Sequence, residues 1–373
     1  VQSTSTTTPD ALNTEPVSPQ SLRASGGTLS DRVLSFLARG SAILVILMLV
    51  SLLAVVFVQA WPSIKSSGLS FITSTEWRAN ALERPVTGPD GKIVFDEDNE
   101  MVVETIPPTF GALPVIYGTA ISSVLALTVA VPFSFGTALF LIRVAPKLKV
   151  ATPISFLVEF LAAIPSIAFG IWGLFVLAPF LAQHVEPGIK AILGPIPGLG
   201  WLFHETVVLG GETVTREIPL TGRDLFCGSL VLAIMVIPII TAVSRDVLRA
   251  VPRAQIEGTI ALGATWWQSC WSMLHYSRSG LFGAVMLGLA RAAGETMAVT
   301  MVIGNNMQIR ASPFLPAQTM SSLMANEFAE ASDVGHRSAL LNVALILLLM
   351  SLFFNIIARW LVVGGKSRSS MAH

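Results

Sequence analysis

Residues Ser41–Trp61 read SAILVILMLVSLLAVVFVQAW, an apolar run without a single charged side chain. An α-helix rises about 1.5 Å per residue, so about 20 such residues cross a hydrocarbon core about 30 Å thick. Working outward from that run, comparable stretches recur at Ala112–Ile142, Pro153–Gln183, Leu225–Val243, Gly280–Ile303 and Ala339–Val363. The 373-residue chain carries 12% charged residues, against about 25% in soluble domains, and its mean hydropathy is +0.70. The expectation is an all-α membrane protein with six transmembrane helices, one N-terminal span followed by a core of five. Pro132 and Pro165 fall inside the second and third spans. Membrane helices tolerate proline where neighbours satisfy the freed carbonyl, so bent, packed helices are expected there.

The first 30 or so residues are rich in Ser, Thr and Pro and cannot bury enough surface to offset their ordering entropy. They read as a disordered tail. The apolar run after them is too long for the core of a signal peptide and lacks a nearby small-x-small cleavage site, so it reads as an uncleaved first span. A net charge of zero offers no basic surface for nucleic acid. Cys227 and Cys270 lie in no CxxC or Cys/His cluster and read as packing residues, with no metal site.

Lys and Arg set the orientation. With the N-terminus inside, the inner segments hold 13 basic residues, among them Arg32, Arg39, Arg143, Arg245, Arg249, Arg253, Arg278 and Arg359, against nine outside. The inner loops are also the shorter ones, which places both termini in the cytoplasm. The outer loops are long, and the first contains VTGPDGKIVFDEDNE (residues 86–100), a hairpin or excursion by its Gly-Pro-Asp-Gly turn chemistry.

Val251–Gly280 lies between two spans and is too long for a tight connection. It reads as a short amphipathic helix, a glycine break at Gly263 and a second helix; the plainer reading is an interfacial loop with tryptophans at the headgroups. Within the spans, Arg291 and Glu295 stand out, because a bare charge at mid-membrane costs at least ~2.5–3.5 kcal/mol. Their i,i+4 spacing lets them pair. Two readings stand: an ion pair locking two spans, or a polar station for an anion, whose oxygens match the donor fork of a guanidinium. Glu159 is the other intramembrane charge; it faces a cavity, pairs with Arg291 or stays protonated, and the sequence does not choose. Thr296, Thr300 and Ser166 could add hydroxyls to an anion path, although hydroxyls in membrane helices more often bond a carbonyl one turn back.

Two resemblances sharpen this reading. Glu257-Gly258-Thr259-Ile260-Ala261-Leu262-Gly263 resembles the E-A-A-x-x-x-G loop of binding-protein-dependent ABC importer permeases, with Gly258 and Thr259 in place of the two small residues after Glu. The family's closing Leu-Pro is Leu274-His275 here. More specifically, Gly288 to Asn305 (GLARAAGETMAVTMVIGN) is similar to the fifth span of the C-type permease family of the Pst phosphate system. Phe110 to Thr119 (FGALPVIYGT) and Ala162 to Ser166 (AAIPS) resemble the same family, and the segments Ser321–Leu323 and Ala325–Phe328 resemble its last outer loop.

The resemblance implies a type I ABC importer permease core over 112–363. The coupling loop 251–279 would contact the ATPase through Glu257, Gly258, Thr259 and Gly263, while Arg291 and Glu295 would take part in transport, with Glu159 and Thr296 as weaker candidates. Around that core the expected organisation is a tail over 1–38, a first span over 39–61, an outer loop with the acidic insertion over 62–111 and a tail over 364–373. Implied partners are a related A-type permease forming a heterodimer, two copies of a cytoplasmic ATPase, an extracytoplasmic phosphate-binding protein and the bilayer of the inner membrane. ATP and Mg would be bound by the ATPase, and no cofactor by this chain. Gly364-Gly365-Lys366-Ser367 imitates the end of a phosphate-binding loop, but it follows a span rather than a strand and lacks the leading glycine. No catalytic constellation is expected. The rival readings are an importer of the same architecture for sulfate or molybdate, and a secondary anion carrier.

Overall fold

The structure is a computed structural model that describes residues 29–86, 101–148, 150–209 and 212–369. The tail before Leu29 and most of the insertion, 87–100, lie outside the described residues. The longer helices, in chain order, are α1 (Leu29–Ser67), α2 (Leu113–Arg143), α3 (Ala151–Ala163), α4 (Ser166–Leu193) and α5 (Leu225–Arg249). They continue with α6 (Arg253–Ala261), α7 (Trp266–Tyr276), α8 (Arg278–Ala293), α9 (Met297–Val302), α10 (Met320–Glu327) and α11 (Val334–Ser369). The chain divides into two compact units, one ending at Val55 and the other beginning at Val56, within α1.

The all-α membrane architecture is as expected, with five helices among the described residues long and apolar enough to cross: α1, α2, α4, α5 and α11. Two of the expected spans are built differently. Proline disfavours the helical region for the residue before it, and Ile164 and Pro165 are extended, with ψ of 130° and 139°. The expected span Pro153–Gln183 is therefore split into α3 and α4, and the membrane-length helix begins at Ser166. The expected span Gly280–Ile303 is likewise two pieces, α8 and α9, interrupted at 294–296. Pro132, in contrast, sits inside an unbroken α2.

The most enclosed of the five is α5. It packs against α2 and α8 through Leu232, Val236 and Ile240, which meet Ala126, Ala130 and Ala284. Small residues let helix backbones approach closely where no water drives them together. Hydroxyls add to this: Ser134 Oγ of α2 donates to the Ile237 carbonyl of α5 at 3.1 Å. Likewise Ser338 Oγ accepts from Ser63 N at 2.9 Å, tying the end of α1 to α11.

At the end of the bundle where α2 and α5 begin, the described residues form three two-stranded antiparallel sheets. Trp77–Arg78 (β1) pairs with Thr109–Phe110 (β4), Leu82–Pro85 (β2) with Val103–Ile106 (β3), and His204–Leu209 (β5) with Glu212–Glu217 (β6). β2 and β3 pair in the register Arg84↔Glu104. Three successive residues of α2 hold the loop between α9 and α10. Tyr117 Oη donates to the Arg310 carbonyl at 3.1 Å, and Thr119 Oγ1 accepts from Met320 N at 2.9 Å. Between them Gly118 lies so close to the loop that a Cβ would stand 2.1 Å from the Gln318 carbonyl oxygen.

Candidate functional site: a helix break and an elbow

The stretch GLARAAGETMAV folds as a helix that stops and restarts. The first piece, α8, ends at Ala293 with Gly294 at its C-cap; Thr296 then precedes α9. The final carbonyls of a helix have no partner within it. Here the Ala293 carbonyl accepts from Ser321 Oγ of α10 at 3.3 Å. Glu295 falls in the break and is buried, 3% of its side chain exposed, whereas Arg291, in the last turn of α8, is 47% exposed. Arg291 Nη1 bonds Glu295 Oε2 at 2.9 Å. The pair expected from the spacing forms, but across a helix end rather than along a continuous helix. One guanidinium nitrogen is committed to the buried acid, and the C-terminal dipole of α8 also favours a cation here. With 47% of the Arg291 side chain exposed, the nitrogens not bonded to Glu295 have the donor chemistry to meet an oxyanion.

The other candidates are not gathered at this break. Glu159 Oε1 bonds Arg245 Nη1 at 3.5 Å, and Arg245 also meets Asp246 at 3.4 Å. Its side chain is 63% exposed, so Glu159 belongs with the basic end of α5. Thr296 Oγ1 donates to the Gly294 carbonyl at 3.4 Å, and Thr300 Oγ1 to the Thr296 carbonyl at 2.7 Å. Thr300 thus bonds one turn back, as its chemistry favours. Ser166 opens α4.

The loop after α5 is a two-helix elbow. The first helix, α6, carries exposed Glu257 and Gly258, with Thr259 Oγ1 bonded to the Ile256 carbonyl at 2.7 Å. Gly263 has φ +84°, the left-handed region. Gly263 N bonds the Ile260 carbonyl at 2.9 Å and Ala264 N the Thr259 carbonyl at 3.1 Å, the paired closure of a glycine C-cap. Thr265 then caps α7 with a reciprocal box to Gln268. The elbow is anchored by Met273, packed with Ala138, Leu248 and Leu281, and by Arg143 Nη2 donating to Ser269 Oγ at 3.2 Å. It presents Ile260, Leu262, Trp266, Trp267 and Trp271 to the surroundings.

Two polar clusters escaped the sequence reading because their members are far apart in the chain. Glu205 is shared by Arg216 and Arg310, at 3.1 Å each. Asp224 and Glu186 are both fully buried, facing each other where α5 begins; Asp224 Oδ1 accepts from Cys227 N at 2.8 Å. Two ionised carboxylates cannot bond each other, so this contact holds only while one keeps its proton. Burial pushes Asp224 up to about 8, with the Glu186 carboxyl adding to the effect. Both cysteines are free and buried. The Walker-like 364–367 continues the α11 helix, so it forms no phosphate cradle.

No protein-family model matches the sequence. Among individual proteins, the chain is 38% identical over 342 residues to the phosphate transport system permease protein PstC of Mesorhizobium japonicum, covering 91% of this chain and 92% of that one. It is 38% identical over 322 residues to PstC of Haemophilus influenzae, covering 86% and 89%, and 35% identical over 327 residues to PstC 1 of Mycobacterium tuberculosis, again covering 86% and 89%. A chain of the inward-facing MetNI methionine ABC transporter aligns with 67% of this chain and 94% of its own, at 15% identity and a TM-score of 0.44, too weak a likeness to bear on function.

Proposed function

Because the chain belongs to the PstC family of phosphate transport system permease proteins, we propose that it forms half of the membrane path of an ATP-driven importer of inorganic phosphate. The observation that carries the substrate is the identity to those proteins along nearly the whole chain. Residues 112–363 form the permease core, with both termini and the elbow in the cytoplasm of a cell whose inner membrane the chain crosses. A related A-type permease supplies the other half, two copies of an ATPase bind ATP and Mg below, and a soluble phosphate-binding protein delivers the anion from outside.

Arg291 meets phosphate with the donors that Glu295 leaves free. The carboxylate, buried and paired at 2.9 Å, holds the guanidinium at the helix break. A break rather than a rod suits a gate, because α8 and α9 can reorient about 294–296 without breaking a continuous ladder of hydrogen bonds. The elbow transmits the ATPase's motion: Glu257, Gly258, Thr259 and Gly263 shape a rigid two-helix plug whose apolar rim at Ile260, Leu262, Trp266 and Trp267 seats in a groove of the ATPase. Glu159 and Thr296 take at most a supporting part.

The test is labelled phosphate uptake in cells lacking this subunit, with and without the restored gene, and with arsenate and sulfate as competitors. Restored uptake blocked by arsenate and not by sulfate is the expected result. Uptake competed by sulfate at equal concentration overturns the phosphate assignment.

A further inference from the structure

Where α7 of the elbow turns into α8, a cavity of about 350 Å³ opens between these helices and α2. Phe135, Leu281, Phe282 and Val285 line it together with Trp271, His275 and Arg278. Arg278 is the first residue of α8 and lies two residues past the end of α7. Among the described residues, neither the Arg278 guanidinium, the His275 ring nor the Trp271 indole N–H has a protein partner. An apolar slot bordered by three donor groups without a protein partner, one permanently cationic, is complementary to a molecule with a hydrocarbon tail and an anionic head. The position agrees with this. A tryptophan and a basic residue at the start of an apolar helix mark the boundary between hydrocarbon and headgroups, where basic pockets between helices take acidic lipids.

We propose that this groove binds one anionic glycerophospholipid, its phosphate held by Arg278 and His275 and an acyl chain laid along Phe135, Phe282 and Val285. Free phosphate satisfies only the donors and leaves the apolar slot unmatched; a zwitterionic lipid fills the slot but brings a cationic group beside Arg278. The lipid then wedges the elbow against α2 and α8, so the stiffness of the coupling element depends on the acidic lipid content of the membrane. The inference does not rest on the identity of the transported anion.

The experiment uses the chain purified with its partner subunits, mixed with phosphatidylglycerol or phosphatidylcholine and read by native mass spectrometry for retained lipid. The wild type is expected to retain phosphatidylglycerol over phosphatidylcholine. Arg278→Gln is expected to lower that preference about fivefold, the scale of one basic residue at a membrane surface, while Arg278→Lys keeps most of it. Val285→Trp fills the slot and is expected to reduce retention of both lipids. Arg253→Gln, an exposed cation on the same elbow, controls for general surface charge. An unchanged preference in Arg278→Gln, an equal loss in Arg253→Gln, or undiminished retention in Val285→Trp overturns the proposal. Size-exclusion profiles of each variant complex separate lost lipid from lost assembly, and Arg278→Lys provides the charged, assembled comparison.

Discussion

At the scale of single residues, the asymmetry of the Arg291–Glu295 pair decides what substitution does. The acid is 3% exposed and the arginine 47%, so the two losses are not equivalent. Arg291→Gln strands a buried carboxylate and is expected to destabilise the assembled complex by about 1–3 kcal/mol. Glu295→Gln leaves a guanidinium that water can reach and is expected to cost less, read as thermal unfolding in detergent. Equal losses would mean the pair is only a clamp. Uptake gives the second readout: Arg291→Lys keeps the charge but not the planar fork, so a well-assembled complex without phosphate uptake is expected. The exchange Arg291→Glu with Glu295→Arg places a long guanidinium in the buried slot, and full uptake by that double variant would refute the phosphate path. Gly118 offers a purely steric case. A Cβ there would stand 2.1 Å from a backbone oxygen, so Gly118→Ala is expected to destabilise by about 1–3 kcal/mol, as overpacking does, with the loop between α9 and α10 loosened.

At the scale of elements, the elbow and the start of α5 each make a prediction. Gly263 is left-handed, with φ +84°, and no atom lies within 4 Å of where a Cβ would be. The constraint is therefore backbone conformation and not crowding. Gly263→Val carries strain of about 1–3 kcal/mol and is expected to separate ATP hydrolysis from uptake. Gly263→Asn, which tolerates this region, is expected to transport nearly normally. Normal transport by Gly263→Val would reduce the elbow to a connector. The Asp224–Glu186 contact joins α4 to α5 and depends on a proton. With the Asp224 pKa raised in the folded state from 3.8 to about 8, the folded form holds more protons than the unfolded one between those values. Stability from this contact is complete below about 4 and is lost as the pH rises through 8, at up to ~1.4 kcal/mol per pH unit. Asp224→Asn keeps the cap and removes one of the two acids that share the proton, leaving Glu186 the one buried carboxyl of the pair, itself raised by burial. Thermal unfolding of the variant is expected to vary less between pH 5 and pH 8 than that of the wild type; parallel profiles would show that the contact does not titrate.

At the scale of the whole molecule, the prediction is topology. The elbow and Arg143 share one end of the bundle and the paired strands the other, so one site at each end orients the chain. An impermeant maleimide added to intact cells is expected to label Glu83→Cys in β2 and spare Gln255→Cys in α6. The native Cys227 and Cys270 are buried and give little background. Reversed labelling would invert the orientation and remove the elbow from the ATPase side.

Apolar runs such as Ser41–Trp61, the elbow with its break at Gly263, and the Arg291–Glu295 pair were all legible in the sequence, because each rests on local rules. Helix length, a glycine's backbone freedom and one-turn spacing need only neighbours in the chain. What lay beyond it was the break at Glu295, which splits the expected span Gly280–Ile303. That break is stabilised from elsewhere: the Ala293 carbonyl finds its partner in Ser321, 28 residues on. For the same reason Glu159 turned out to face Arg245, Asp224 to face Glu186, and Glu205 to lie between Arg216 and Arg310. The sequence by itself determined that the chain crosses a membrane as helices and where its charges break that pattern. Which charges meet was decided only by tertiary packing, since a carboxylate in a low-dielectric interior is held by whichever donor the fold delivers to it, however far away that donor lies in the chain.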